Sequence, residues 1–464
     1  MDIIETKRKF KVEYKRYSSD TITPVSVFLR LRDEFSQTLL LESSDYNSNR
    51  NSYTFIVVQP HSTFVVKENR IIIDGVPQVE DVDVKNSLKR YIGTIDVEQD
   101  KITKQFNGLY GFTGFEAVKY FDNFDFVENE SPDNIPELYY GFYKYIIAIN
   151  HFQDELIIMQ NVEEGQKSNL KYIEDLVLSQ RIPEYKFETL GDEISKIEDD
   201  EFLKLVNRGK DYCQQGEVFQ IVFSRRFVQK FQGDEFNVYR ALRSINPSPY
   251  LFYFDYGDFK LFGSSPESQL VIARSKAVLN PIAGTYKKTG IEFEDEVLAV
   301  KLSKDPKENA EHTMLVDLAR NDLSRYCTEV KVDKYKEIQH FSHVLHIVSE
   351  VSGKVEKAED SIDIFASTFP AGTLSGAPKY RALELINKDE RFDRTFYGGT
   401  IGILSLSGDI NSAITIRSFL SQNGLLQYQA GAGIVVDSNP ETELKEVDNK
   451  LGALRKAIEI AKKY

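Results

Sequence analysis

The sequence predicts an α+β protein in two parts, and three observations predict it. Short β-branched and aromatic runs fill most of the first 180 residues. A polar, acid-rich stretch from about Ile182 to Asp200 then breaks the pattern. Beyond it, strands mix with helices whose start and stop signals are well marked. The seam is therefore expected near residue 190, dividing the chain into 1–190 and 191–464.

In the first part, Ser52 to Val58, Thr63 to Lys67, Arg70 to Ile73 and Lys144 to Asn150 read as strands, with Asp74-Gly75 as a turn between two of them. In the second, Asp200 to Gln215 reads as a helix stopped by Gly216, the usual left-handed terminator. Val218 to Phe227 follows as a strand. Asp305-Pro306 supplies an N-cap and a first-turn proline, and Glu308 stands where a capping box places its acid. Asn439-Pro440 repeats the start signal. Leu444, Val447, Leu451, Leu454, Ile458 and Ala461 then recur at steps of three and four, the single apolar stripe of a closing helix.

Composition bounds the function. The chain has 464 residues, 58 Lys plus Arg against 72 Asp plus Glu, and a net charge of −14. That field repels nucleic acid and anionic membrane surfaces, so an anionic substrate has to be met by a few placed cations, backbone N–H groups or a metal. Two cysteines, Cys213 and Cys327, make no disulfide framework and fit a reducing, cytoplasmic setting. No apolar run approaches membrane-spanning length, and the first ten residues lack the pattern of a signal peptide.

Several constellations could carry chemistry. Glu443, Glu446 and Lys450 line one side of the closing helix, where two carboxylates a turn apart suit a hard cation or form a solvated charged face. Glu311, in Ala310-Glu-His312, and Glu267, in Ser264-Ser-Pro-Glu-Ser268, are each a surface acid or an aimed carboxylate. Gly372-Thr-Leu-Ser-Gly-Ala-Pro-Lys379 runs a small-residue loop into a helix and suits an anion, without the spacing of a P-loop. Gly431-Ala-Gly433 lacks the third glycine and the following helix of a dinucleotide turn. His340, His343 and His346 point in different directions on either a strand or a helix, which disfavours a shared zinc, although one of them could shuttle protons.

Taken together the motifs are specific. Gly216-Glu-Val-Phe-Gln-Ile-Val-Phe-Ser224, Asn246-Pro-Ser-Pro-Tyr250, Gly263-Ser-Ser-Pro-Glu267, Pro281-Ile-Ala-Gly-Thr285 and Ala310-Glu-His312 come first. Leu318-Ala-Arg-Asn-Asp-Leu323, Gly372-Thr-Leu-Ser-Gly-Ala-Pro378, Tyr397-Gly-Gly399, Gly431-Ala-Gly-Ile434 and Asp437-Ser-x-Pro440 follow. In this order they resemble the chorismate-utilising enzymes over roughly residues 200 to 460. Leu39-Leu-Leu-Glu-Ser-Ser44 extends the likeness, over nearly the whole chain, to the component I (large-subunit) branch of the anthranilate synthases.

The resemblance implies a fold of large antiparallel β-sheets sandwiched together, with helices on the outside. It implies chorismate as substrate and Mg²⁺ held by Glu311 and Glu446, with Glu443 in or beside the shell. Tyr397, Arg417 and the Gly431-Ala432-Gly433 backbone match residues that hold the enolpyruvyl carboxylate, and Lys450 matches a substrate-facing lysine. Glu267 matches the acid that protonates the departing C4 hydroxyl, His346 a proton-transfer histidine, and Thr373 a substrate contact. Gln220 stands where relatives that add water carry a lysine base. Ala283 stands where 4-amino-4-deoxychorismate producers carry a lysine nucleophile. Both favour amination at C2 and loss of pyruvate, giving anthranilate, the first committed product toward tryptophan.

Neither cysteine lies in a glutaminase nucleophile turn, so the resemblance also implies a separate glutamine amidotransferase subunit. It implies L-tryptophan as a feedback inhibitor bordered by Glu42, Ser43, Pro249, Tyr250 and Leu251. Two departures stand out. Tyr286-Lys-Lys288 replaces the usual arginine-containing segment, and the inhibition motif runs on as Asp45-Tyr-Asn-Ser-Asn-Arg50. The alternatives are component I of aminodeoxychorismate synthase, a non-catalytic regulatory homologue, and a metal-dependent hydrolase built on the histidines.

Overall fold

The structure is a computed structural model that describes residues 7–43, 53–78, 83–122, 124, 126, 127, 129, 133–341 and 344–464. Among the described residues the strands form one continuous hydrogen-bonded network, folded over into two antiparallel sheets that pack face to face with helices on their outer surfaces, as the resemblance implies. In the described residues the one parallel pairing joins Arg8–Ser18 to Ile95–Glu98.

The first sheet is built from both parts of the chain. Strand β1 (Thr38–Ser43) pairs on one edge with Tyr53–Lys67. Next along the chain come β2 (Gly108–Thr113), β3 (Gln220–Gly233), β4 (Tyr250–Asp255) and β5 (Lys260–Ser265), the strands nearest the site. On its other edge β1 pairs with β4, which passes the ladder to β5. The second sheet contains Ser268–Ala273, Lys276–Leu279, β6 (Val344–Lys354), β7 (Thr400–Ser405) and Ile410–Ile414. Its β7 pairs with β2 from the first part. From β5 the first sheet continues through β8 (Ser418–Gln422) and β9 (Leu425–Ile434) to β3. The seam near residue 190 thus has strand pairing across it in both sheets.

Strand alternation explains the layering. Leu39, Leu41, Val57, Phe252 and Phe254 point into a core made by strands and the turns between them, to which no α-helix contributes. Their neighbours Leu40, Ile56, Val58, Leu251 and Tyr253 point outward into a second core shared with the helices. These strands are apolar on both faces because both faces are covered. At about 25 cal/mol per Å², burying such side chains twice over is the dominant stabilisation.

Five helices frame the site: α1 (Phe236–Ile245), α2 (Glu292–Ser303), α3 (Pro306–Ser324), α4 (Lys379–Asp389) and the closing helix α5 (Pro440–Ala461). The stripe expected on α5 is present, with Val447, Leu451, Leu454, Ile458 and Ala461 buried. Asn439 accepts from the Thr442 N–H as the N-cap. Among the described residues, no helix is long and apolar enough to cross a membrane.

Two local readings need correction. The runs at Ser52 and Thr63 are one strand, Tyr53–Lys67, bent where Gln59 adopts φ +58° and the register shifts between Pro60 and Ser62. A bulge, not a loop, separates them. Asp305 caps α3 by accepting from the Lys307 and Glu308 N–H groups, but Glu308 does not close the reciprocal half of a capping box. Its carboxyl instead faces Glu311 and Glu446.

One buried ion pair ties the loops to the sheets. Arg394, 1% exposed, donates to both oxygens of Glu390 at 2.7 Å, and to the carbonyls of Leu374 and Val222. Glu390 in turn accepts from the Ser224 N–H and hydroxyl. Glu116, from the first part, accepts the backbone N–H groups of Arg394 and Thr395. Replacing Arg394 with Met strands a buried carboxylate, so Arg394→Met is expected to lower stability by about 3–5 kcal/mol, read as a fall in the urea midpoint.

Candidate functional site

The chain crosses between the sheets twice at neighbouring places, and each crossing carries a charged residue. Pro266-Glu267 is all that separates β5 in the first sheet from Ser268–Ala273 in the second. Thr415-Ile416-Arg417 returns the chain from Ile410–Ile414 to β8. The crossings are bonded to each other, Ser264 N–H to Arg417 O at 3.1 Å and Ile414 N–H to Glu267 O at 3.0 Å. A Cβ on Gly263 would sit 2.9 Å from Arg417 O, so the close approach depends on glycine there.

Burial pushes the Glu267 carboxyl up to about 7, against the lowering effects of the Thr373 hydrogen bond and of Lys450. The Thr373 hydroxyl donates to Glu267 Oε1 at 3.0 Å from the 3₁₀ turn Gly372–Leu374. Glu267 is therefore a carboxylic acid able to hold its proton near neutrality.

Arg417 has φ +52°, a left-handed conformation that arginine rarely adopts, and is mostly buried. Among the described residues its guanidinium makes no hydrogen bond or ion pair. Burial lowers its proton affinity, partly offset by Tyr397, yet guanidinium stays charged. Burial also pushes the Tyr397 hydroxyl up to about 12, keeping it neutral. That hydroxyl lies beside Gly431, 3.2 Å from where a Cβ there would be. Together they form a place for an anion.

The neighbouring residues follow in a connected chain. Lys450 donates to the Gly431 carbonyl at 2.8 Å and pairs with Glu446 at 2.7 Å. Glu443 is 4% exposed, and its carboxyl is raised by burial and by Glu446. Glu308 is raised by burial and by Glu311. The Gln220 amide donates to Glu311 Oε1 at 2.9 Å, lying over Gly433, where a Cβ would come within 2.6 Å of the amide nitrogen. The side chain of Ala432 alternates into the helix-side core, so only its backbone reaches this face.

His346 Nδ1–H donates to the Gly284 carbonyl at 2.8 Å, which places the imidazole lone pair on Nε2. Burial lowers its affinity for a proton, and so does Arg417. Gly284 itself has φ +65°, and a Cβ there would meet Glu308 Oε2 at 3.0 Å. His340 stands apart, 3.7 Å from the exposed Glu296, and His343 lies outside the described residues. Ala283 is buried opposite Ile347.

The donors present are of the chemical type that a magnesium ion takes. Glu308, Glu311, Glu443 and Glu446 are oxygen donors on two facing helices, and burial together with mutual repulsion raises Glu308 and Glu443, a cost that a hard cation offsets. Among the described residues, no three His, Cys, Asp or Glu side chains yet converge as a ligand set; Glu446 is held by Lys450 and Glu311 by Gln220. Sequence reasoning missed Glu308 by assigning it to a cap. The signal was available, since Glu308 to Glu311 repeats the spacing of Glu443 to Glu446.

At the proposed inhibitor region, β1 and β4 are register partners, Ser43 opposite Tyr250 and Glu42 opposite Leu251. Pro249 is half-buried just before β4. Glu42 is buried and accepts from the Tyr239 hydroxyl at 2.5 Å and from Arg243 Nε and Nη2 at 2.9 Å, both donors on α1. Ser44 and residues 45–50 of that motif lie outside the described residues.

Comparison with known proteins shows the family and the fold. Residues 37–456 match the model of the chorismate binding enzyme family. The anthranilate synthase component 1 of Aquifex aeolicus is 36% identical, the alignment covering 97% of this chain and 94% of that one. Its counterpart from Methanothermobacter marburgensis is also 36% identical, over 99% and 96%. The crystal structure of anthranilate synthase component I from Streptococcus pneumoniae superposes with a TM-score of 0.78 at 30% identity, covering 88% of this chain and 93% of that one. The menaquinone-specific isochorismate synthase of Escherichia coli shares the fold, with a TM-score of 0.76 at 17% identity, covering 98% and 95%.

The fold prefers Glu267 neutral, so its carboxyl costs nothing below its ordinary range near 4.5 and costs progressively more as pH rises through about 7. Glu267→Gln removes that cost. The variant is expected to match the parent's denaturation midpoint at about pH 4 and to exceed it at about pH 8, by on the order of 2 kcal/mol.

Proposed function

The chain belongs to the chorismate binding enzyme family and, within it, to the anthranilate synthase component 1 group, and on that premise we propose that it aminates chorismate at C2 with ammonia and then eliminates pyruvate, leaving anthranilate. The observation that carries this reading is Arg417, a mostly buried guanidinium without a protein partner among the described residues, set beside a neutral tyrosine and a carboxylic acid. Leaving such a cation unpaired is costly, and a substrate carboxylate pairs with it through two bonds.

Each residue then has a task. Arg417, Tyr397 and the Gly431–Gly433 backbone grip the enolpyruvyl carboxylate. Glu311 and Glu446, with Glu443 and Glu308 beside them, would hold Mg²⁺, which when bound would supply a further positive charge for the ring carboxylate. Glu267 delivers its proton to the C4 oxygen, which leaves as water while ammonia bonds to C2. Thr373 holds Glu267 in place for that transfer. The nitrogen then loses a proton, and His346, uncharged through burial, takes the C2 proton as the ring becomes aromatic. The departing enolpyruvyl group, protonated at its methylene carbon, leaves as pyruvate.

Gln220 cannot take a proton from water as a lysine does, and Ala283 cannot bond covalently to the ring, so amination giving anthranilate is favoured over isochorismate or aminodeoxychorismate. We also assign the ammonia supply to a glutamine amidotransferase subunit. Feedback inhibition by L-tryptophan is assigned to the seam between β1 and β4.

The test uses the purified chain with chorismate, Mg²⁺ and an ammonium salt, products being separated chromatographically with and without EDTA. Anthranilate and pyruvate in equal amounts, abolished by EDTA, are expected; isochorismate or aminodeoxychorismate as the product sinks the reading. Arg417→Lys keeps the charge but loses the two-bond grip, and is expected to raise the KM for chorismate at least tenfold. The pH profile of kcat/KM should fall on the alkaline side as Glu267 loses its proton.

A further inference from the structure

One ammonium group stands between the acids and the place for an anion. Lys450 Nζ pairs with Glu446 Oε1 at 2.7 Å and donates to the Gly431 carbonyl at 2.8 Å. Both partners are fixed by secondary structure. Glu446 lies one turn before Lys450 on α5, and Glu443 one turn before that. Gly431 belongs to β9, with the Tyr397 hydroxyl beside it. The charge of Lys450 also reaches Glu267 and Glu443, where it favours the ionised carboxylate. A single lysine thus touches both halves of the site.

The pair with Glu446 is a contact made to be broken. The two side chains are 45% and 36% exposed, and a pair at this spacing and exposure stabilises a helix only slightly. A hard cation drawn to Glu446 meets the ammonium at close range, and like charges so near repel. The flexible four-carbon stem lets Nζ leave the carboxylate, while the Gly431 carbonyl keeps it on the side of the anion place. Lys307 offers a contrast. It is exposed in the first turn of α3, and its charge reaches Glu308 and Glu443. Among the described residues it pairs with neither Glu446 nor the Gly431 carbonyl.

We propose that Lys450 holds Glu446 until the metal takes it and then passes to the substrate, so that Mg²⁺ and chorismate each raise the affinity for the other. The inference rests on the amination reading and adds to it a coupling between the two ligands. Metal on Glu446 releases the lysine toward a carboxylate of chorismate. Chorismate, by drawing the lysine away, releases Glu446 to the metal. Linkage makes the two factors equal. Lys450 acts here as a positioning residue that links two sites rather than as one more contact to substrate.

The test titrates the purified chain with Mg²⁺ in a calorimeter, with and without chorismate, leaving out ammonium so that chorismate is not consumed. In the parent, chorismate is expected to tighten Mg²⁺ by about tenfold or more. Lys450→Met keeps the apolar stem and loses the charge. It is expected to bind Mg²⁺ about tenfold more tightly than the parent without chorismate, and to gain less from chorismate by about threefold or more. Lys307→Met also removes a cation near the acids, yet is expected to keep the parent's chorismate factor. Unchanged Mg²⁺ affinity in Lys450→Met without chorismate overturns the inference, whatever the enzyme makes. So does an equal loss of the chorismate factor in Lys307→Met, which would make the effect one of bulk charge. A parent that binds Mg²⁺ but never chorismate sinks the amination reading and the inference with it.

Discussion

Two backbone hydrogen bonds between the sheet crossings are the constraint on which the site depends. Ser264 to Arg417 and Ile414 to Glu267 fasten the place where one sheet hands the chain to the other. An acid that needs a raised proton affinity and a cation that needs to stay unpaired are both expensive to bury. The crossings fix the backbones of both through main-chain bonds and the close approach at Gly263, and Thr373 adds a side-chain hydrogen bond to Glu267. The surrounding core is indifferent to which charges stand there, and a sandwich of this kind lends its seam to chemistry.

The Glu390–Arg394 pair does the complementary work. It links β3 through Val222 and Ser224, the turn bearing Thr373 through Leu374, and the first part of the chain through Glu116. Thr373 is thereby indexed to the same frame as Tyr397, three residues beyond Arg394. A buried ion pair is a weak source of stability but a strong source of register, since a misplaced partner leaves a naked charge.

Legibility from sequence divided along physical lines. Helices announced by local chemistry, such as Asn439-Pro440 with the stripe from Leu444 to Ala461, were readable because cap and period lie within a few residues of each other. The candidate site residues were proposed by resemblance, and the geometry links Glu267, Thr373, Lys450, Glu446, Glu443, Glu311, Gln220, Gly431, Tyr397, Arg417 and His346 by contact or by charge. What could not be read was set by tertiary partners. Glu308 satisfied a local capping rule, yet faces Glu446 on a helix more than a hundred residues away. The bend at Gln59 looked like a break between two strands, and Arg394 carried no motif at all. The two crossings were invisible, because only the pairing of β5 with β8 and of Ser268–Ala273 with Ile410–Ile414 reveals that the chain changes sheets.

The strand pairing across the seam has a consequence for how the protein is made. Synthesis runs from the N-terminus, so β1 and β2 leave the ribosome long before their partners β4 and β7 exist. Until then each has a bare edge, and the apolar faces of Leu39, Leu41 and Phe112 wait uncovered. The first part therefore cannot finish as an independent unit during translation, and its closure is deferred until residue 405 has emerged. Nascent chains of this protein carry a long sticky interval, and the burden of keeping them soluble falls on whatever meets them at the exit tunnel.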